Sequence, residues 1–536
     1  MSSSPATVCE LVEHAAATWP QRTYALDAGG RNLLTFDALA AGCRQVAALL
    51  EAHASKPGDT VSLVMPNGLM TLQLLLGAMH GGWCVNPVNL LSQPEQMRHV
   101  LGHSDCKLVF VSPEWETAVR AALEGVDREV TVIVIEADAS SVPSRMPAHS
   151  HSVIPAQAAV QGSAHGVDPG TRVGHGSALR TGDSAAAQRV ALLMYTSGTT
   201  GVPKGVMLTH ANLAANAHAI SAEHGLSAED RVLAVLPLYH INAFAVTMLA
   251  PLASGGSVAM TPRFSAARFW AQAIDARCSW LNFVPTIASY LIEGPEPPSR
   301  DALGAIRFAR SASAALPPEH LRAFEQRFGI GIVETMGLTE TVAPCFSNPL
   351  DATWRKLGSV GHASGCEARV IDAALQPVPD GQTGEIAIRG PNVMRGYYKN
   401  DEATREAFTP DGWLRSGDLG HRDSDGFFFV TGRIKELIIK GGENIAPREI
   451  DEALLRHPAV LEAAAVGIPD KHYGQEILAC VVLRPGADAS AVEADLRSFC
   501  EQHLGRYKAP KLIRFVAELP RGPSGKVQRL KLLDAA

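Results

Sequence analysis

The run Tyr195–Gly205, "YTSGTTGVPKG", brings together the groups that hold phosphate. Thr196, Ser197, Thr199 and Thr200 carry hydroxyls, Gly198 and Gly201 let backbone N–H groups approach an anion, and Lys204 adds a point charge. The spacing is not that of the nucleoside-triphosphatase loop, G-x-x-x-x-G-K-[ST]. Counted from Gly198, the second glycine of that pattern is Pro203, and Lys204 is followed by Gly205. Taken alone, the run reads equally well as a flexible Gly/Thr turn between a strand and a helix.

The elements that must position it are legible nearby. "RVALLMY" is a short apolar run, read as a buried strand that feeds directly into the loop. "DRVLAVLPLYHINAF" ends in a Pro-aromatic-His turn, and "WLNFVP", "AIRFARS" and "GIVETMG" each lead from a strand-like run into a polar or small-residue turn. Strand ends of this kind are where ligand sites collect in α/β sheets. From about Val8 to Val111 helical patterns alternate with runs such as "TVSLVMP" and "KLVFVSP", which predicts α/β layers with a largely parallel sheet. Residues 137–187 turn rich in Ser, His, Gly, Ala and Pro and read as an irregular surface excursion; the spacing of its histidines does not suit a metal tract. Past Gly384 the runs "GEIAIRG", "GFFFVTGR" and "KELIIKGG" are β-like, with Asp425-Gly426 as a tight turn. The last hundred or so residues mix strands with the helix "SAVEADLRSFCEQHL", the size of a small α+β domain.

Bulk properties narrow the class. A chain of 536 residues exceeds one ordinary core, so two or more domains are expected. A net charge of −7 argues against a nucleic-acid binder. Nine dispersed cysteines without a C-x-x-C pair fit reduced thiols, and neither a signal peptide nor a membrane-spanning run is apparent. Cytoplasm is the expected location, without membrane insertion.

Seven stretches, "YTSGTTGVPKG", "PLYHINA", "SASAAL", "ETMGLTE", "SGDLG", "GRIKELIIKGGENI" and "PSGKVQR", occur in an order and spacing that resemble the adenylate-forming superfamily. That superfamily contains acyl-CoA synthetases, peptide-synthetase adenylation domains and firefly luciferases. The resemblance implies a large N-terminal domain of layered α/β subdomains at 1–432, a hinge at 433–436 and a small mobile C-terminal α+β domain at 437–536. It implies ATP, Mg2+ and coenzyme A acting on a small carboxylic acid, with a homodimer as the oligomer to test.

Residue by residue, the resemblance gives the opening loop to the β- and γ-phosphates. Thr339 donates to the α-phosphate, and Glu340, with Thr196, holds Mg2+. Ser311 and Ala312 border adenine together with Glu334, Thr335 and Met336, the last standing where the family usually has an aromatic residue. Asp418 takes the ribose hydroxyls with Arg433 in support. Lys526 neutralises charge on the reacting groups, Lys435 marks the hinge, and Gly441 and Gly442 admit the pantetheine arm. The plainer alternatives are a helix cap for Thr339-Glu340, a Gly-Asp turn for Asp418 and a solvated basic tail for Lys526.

The acid is read from "PLYHINAF", "WLNFVPTI" and "RFARSASAAL", which look most like oxalate–CoA ligases and related enzymes for short acids. His240, assigned to both catalysis and substrate, stands with Asn242, Trp280 and Arg310 as a polar set unsuited to a long fatty chain. Arg310 is expected to meet a second anionic group on the acid, or else a protein carboxylate. Oxalate-type enzymes often carry a second histidine where this chain has Asn242, which argues against oxalate itself. The expected acid is short and doubly anionic, a small dicarboxylate such as malonate, or sulfoacetate. Alternatives are a medium- or long-chain fatty acid, acyl transfer to a carrier-protein thiol, a luciferase-type oxygenase and a non-catalytic binding homologue.

Overall fold

The computed structural model describes residues 4–27, 29–30, 32–139, 142, 149–151, 184–196, 202–522 and 527–534. Two large, mostly parallel sheets dominate. One has nine strands, ordered from the edge His362–Ala363 through Phe346–Ser347, Ile332–Met336, Phe308–Ser311, Trp280–Phe283, Arg231–Ala234, Ser257–Met260 and Thr23–Asp27 to Leu33–Thr35. The other has eight and runs from Gly396–Tyr397 and Lys204–Thr209 through Val190–Thr196 to Cys84–Pro87, Thr60–Val64 and beyond.

The helix Leu69–His80, "LMTLQLLLGAMH", explains why there are two sheets rather than one. Its leucines and methionines are buried on nearly every side. A helix with no polar face has to be covered all round. It packs against Thr23–Asp27 of the first sheet and against Thr60–Val64 and Cys84–Pro87 of the second. One continuous apolar core therefore spans both. The alternating segment Val8–Val111, expected from the sequence to form α/β layers with a largely parallel sheet, is split between them. Period-two and period-3.6 patterns report faces; they carry no information about which sheet a strand joins.

A third, antiparallel sheet of Glu367–Ile371, Gly384–Arg389, Leu414–Arg422 and Phe428–Arg433 follows. The Asp425-Gly426 turn joins its last two strands, with Gly426 at φ +86°. The C-terminal unit builds five strands against the helices Pro447–Leu455 and Ala489–Lys508, and closes its own apolar clusters from residues 438–533. Bonds between the units include Arg484 to Glu293 at 2.7 Å and Arg521 Nη1 donating to Thr286 Oγ1 at 3.1 Å. Most of 137–187 lies outside the described residues; His149–His151 adds an edge strand beside Val130–Val134. Among the described residues no helix is long and apolar enough to cross a membrane.

Candidate active site

Strands Val190–Thr196 and Lys204–Thr209 run antiparallel with Thr196 opposite Lys204, which fixes the two ends of the phosphate-loop candidate to each other. Ser197, Gly198, Thr199 and Thr200 lie outside the described residues. Lys204 places its ammonium over the ring of Tyr397, 5.0 Å from the centroid. Tyr397 belongs to the edge strand beside Lys204–Thr209, and its hydroxyl donates to Glu340 Oε1 at 2.8 Å. Nothing in the sequence reading pointed to Tyr397.

Glu340 sits with Thr339 on a single 3-10 turn, Thr339–Thr341, just beyond the strand Ile332–Met336. Gly337 is required between them by close approach: a Cβ there would stand 2.6 Å from Ala343 Cα and 2.8 Å from Pro344 Cα. Val342, buried and β-branched, takes φ +59° and is held there by Asn216, whose Nδ2 donates to its carbonyl at 2.6 Å. A left-handed conformation costs such a residue about 1–2 kcal/mol. Strain of this sort gathers beside functional turns.

Among the described residues no three His, Cys, Asp or Glu side chains converge as a cation cage. Glu340 instead offers one carboxylate. That donor set fits Mg2+, which is commonly held by one or two carboxylates together with substrate phosphates.

Ser311 and Ala312 are buried at the end of the strand Phe308–Ser311, and Thr335 Oγ1 donates to the Ser311 carbonyl at 3.3 Å. Glu334 is buried too; burial, only partly offset by Arg448, pushes its carboxyl up to about 7. Met336 packs against the apolar cluster around Phe346 and Phe428. Asp418 lies opposite Arg433 on neighbouring strands, with Arg433 Nε 2.7 Å from Asp418 Oδ1. Burial opposes the Arg433 charge, but Asp418 and then Glu436 outweigh it and raise its pKa.

Lys435 is exposed on the 3-10 turn Ile434–Glu436, between the last strand of the third sheet and the first of the C-terminal unit. Gly441 and Gly442 are exposed with φ +55° and +87°. Behind them the buried Lys440 pairs with Glu476 at 2.9 Å and donates to the Tyr507 carbonyl. Lys526 lies outside the described residues; Arg521 and Val527, which flank it, form an antiparallel bridge.

The acid end is built around Arg310. This side chain is fully buried on the strand Phe308–Ser311, in register with Asn282. Its Nη1 donates to Asn242 Oδ1 and to Asn282 Oδ1, both at 2.7 Å. Nε and Nη2 have no hydrogen-bond partner among the described residues. Among the described residues the protein carboxylate expected as one alternative is not found beside it: burial alone pushes the guanidinium down, to about 9. At neutral pH it remains a cation. His224, below it, is buried and pushed down to about 3, first by burial and then by Arg310, so it stays neutral.

Asn242 also donates to Ser313 Oγ at 3.3 Å, and Ser313 holds φ +74°. His240 caps the short helix Ile241–Ala243 with its ring 4.8 Å from that of Tyr239. Trp280, expected near the acid, instead stacks on Phe308 in the core at 5.6 Å. The sequence reading missed Asn282, whose signal was available: it stands two residues after Trp280 on the same strand face.

The AMP-binding enzyme family matches residues 12–398, and its C-terminal domain matches residues 449–526. A sulfoacetate–CoA ligase from Cupriavidus necator is 54% identical over 530 residues, 99% of this chain and 98% of that protein. An oxalate–CoA ligase from Arabidopsis thaliana is 34% identical over 98% of this chain and 97% of its own length. ATP-bound MatB from Rhodopseudomonas palustris superposes with a TM-score of 0.86 at 28% identity, covering 99% of each chain.

Proposed function

Since the chain belongs to the AMP-binding enzyme family, as an AMP-forming acid–CoA ligase for a short anionic acid, we propose that the acid is sulfoacetate. The observation that carries the reading is the buried Arg310 cation, with two N–H edges that have no partner, and no anion beside it, among the described residues. An isolated buried charge is costly, so the site favours a ligand that neutralises it. A sulfonate accepts a fork of donors from Nε and Nη2 and leaves the carboxylate at the other end of the acid to react. The 54% identity to a sulfoacetate–CoA ligase supports the same acid.

In the proposed reaction the Thr196–Thr200 loop and Lys204 hold the β- and γ-phosphates. Glu340, with Thr196, would hold Mg2+, which would supply charge neutralisation at the phosphates. Asp418 and Arg433 hold the ribose, while Ser311, Ala312, Glu334, Thr335 and Met336 border the adenine. The carboxylate oxygen bonds to the α-phosphorus as the bridge to the β-phosphate breaks, releasing pyrophosphate. Thr339 and Lys526 donate where negative charge builds, and His240 orients the carboxylate. The coenzyme A thiolate then adds to the acyl carbonyl, and AMP leaves as the acyl–oxygen bond breaks. Between the two steps the unit 437–536 turns about residues 433–436, with Lys435 at the pivot, so that Gly441 and Gly442 replace Lys526 at the site. Arg521 supports this reading: it flanks the Lys526 segment and already reaches Thr286 in the large unit.

A small dicarboxylate is the second reading, favoured by the oxalate–CoA ligase relative, because a guanidinium fork accepts a carboxylate equally well. Pyrophosphate release is to be measured with sulfoacetate, malonate, oxalate, propionate and octanoate, with and without coenzyme A. Sulfoacetate should give the highest kcat/KM, and coenzyme A should accelerate turnover. Preference for malonate would move the assignment to the dicarboxylate, and preference for octanoate would overturn both. Arg310→Ala should lose about 10²–10³-fold on sulfoacetate and far less on propionate. Nine cysteines that remain free thiols support a cytoplasmic location, and sedimentation would test the homodimer.

A further inference from the structure

The segment 391–398, "PNVMRGYY", is a strap sewn to both halves of the triphosphate end of the site. On one side Arg395 N donates to the Met207 carbonyl and Tyr398 N to the Gly205 carbonyl, on the strand that begins at Lys204. On the other, Met394 N donates to the Glu340 carbonyl at 2.8 Å, and Asn392 Nδ2 to the Thr341 carbonyl at 3.0 Å. Asn212 fixes the strap from below by donating to the carbonyls of Pro391 and Val393. Tyr397 is the strap residue whose side chain meets both functional groups: Lys204 lies on its ring face and Glu340 accepts from its hydroxyl.

We propose that Tyr397 is a positioning residue for the adenylation step, holding the Glu340 carboxylate for Mg2+ and keeping Lys204 from pairing with it. Lys204 and Glu340 have opposite charges and serve the same triphosphate. Left to themselves, two such side chains neutralise each other. The ring takes the cation on its face, where the π-cloud is negative, and binds the anion at its tip through the hydroxyl. With Oε1 accepting from Tyr397, the carboxylate is oriented and Oε2 is left to meet a metal.

The proposal rests on the assignment of Glu340 to Mg2+ and is independent of which acid is used. Its test compares Tyr397→Phe, Tyr397→Ala and Glu340→Gln in the full-length enzyme. The measurements are calorimetric binding of ATP at graded Mg2+, binding of AMP without metal, ATP–pyrophosphate exchange, and thioester formation from isolated acyl-adenylate and coenzyme A. Tyr397→Phe should raise the Mg2+ needed for half-maximal ATP binding about tenfold, the loss of one hydrogen bond to a charged group. Pyrophosphate exchange should show the same shift in Mg2+ dependence, with AMP binding and the thioester step unchanged. Tyr397→Ala should weaken ATP binding further, because the spacer ring is gone as well. A Tyr397→Phe enzyme with unaltered Mg2+ dependence, or with an equal loss in the thioester step, overturns the proposal while leaving the Glu340 assignment standing. A Glu340→Gln enzyme with unaltered Mg2+ dependence overturns both.

Discussion

Asp418 and Arg433 face each other across adjacent strands, and Arg433 reaches both carboxylate oxygens, at 2.7 Å from Nε to Oδ1 and 3.3 Å from Nη2 to Oδ2. The pair stands at the last register position before the turn that leads into the C-terminal unit. The proposed ribose pair and the proposed pivot are therefore neighbours, joined at the end of the strand Phe428–Arg433.

Asp418→Asn keeps the shape of this side chain and removes its charge. AMP affinity, read by calorimetry, should fall about 10–100-fold, the loss of charge-assisted bonds to a diol. The ranking of acids should not move. Unchanged AMP affinity would remove Asp418 from the nucleotide site.

Ser313 occupies a left-handed position where glycine is comfortable, and its hydroxyl accepts from Asn242, a partner of Arg310. Ser313→Gly should stabilise the fold by about 0.5–1 kcal/mol through relief of strain. It should also lower kcat/KM for the anionic acid several-fold, because Asn242 loses one of its anchors. Denaturant unfolding and kinetics on sulfoacetate and propionate check the two effects separately. A stabilised enzyme with unaltered selectivity would reduce Ser313 to a loop residue.

Glu334 gives a pH signature. Burial raises its carboxyl from the ordinary value near 4.5 to about 7. Between those pH values the folded chain binds more protons here than the unfolded chain, so this group's contribution falls as pH rises through the window. The loss approaches roughly 3 kcal/mol above pH 7. Glu334→Gln should raise the thermal midpoint most at pH 8 and least at pH 4.5. An equal shift at both pH values would contradict the assignment.

The sequence made the chemistry legible because motif residues sit at strand ends and turns, where residue type is dictated by the ligand. "ETMGLTE" spans the end of the strand Ile332–Met336 and the turn after it, whereas "SGDLG" lies within the strand Leu414–Arg422 and not in the Gly-Asp turn offered as its plainer alternative. Arg310 stood out for a related reason: a charged residue in an apolar strand needs an explanation that the strand itself does not supply. Its company was harder to read. Asn282 and Asn242 lie 28 and 68 residues before it, and only the parallel register of two strands and the packing of a short helix bring them together. Tyr397 was invisible because its partners, Lys204 on a strand of one large sheet and Glu340 on the turn that follows a strand of the other, come together only in the folded chain. The division of the first hundred residues between those sheets escaped notice for the same reason, since periodicity describes faces and not neighbours.

Arg310 belongs wholly to the large unit, on a strand that makes no use of the C-terminal one. On the proposed assignment, recognition of the acid's far end would need nothing from the lysine-bearing segment. An acid lacking the second charge would leave the guanidinium bare and should depart while ATP is still intact. The consequence is a ligase whose accuracy comes from early rejection: near-miss acids should consume almost no nucleotide, and no later step has to correct for them.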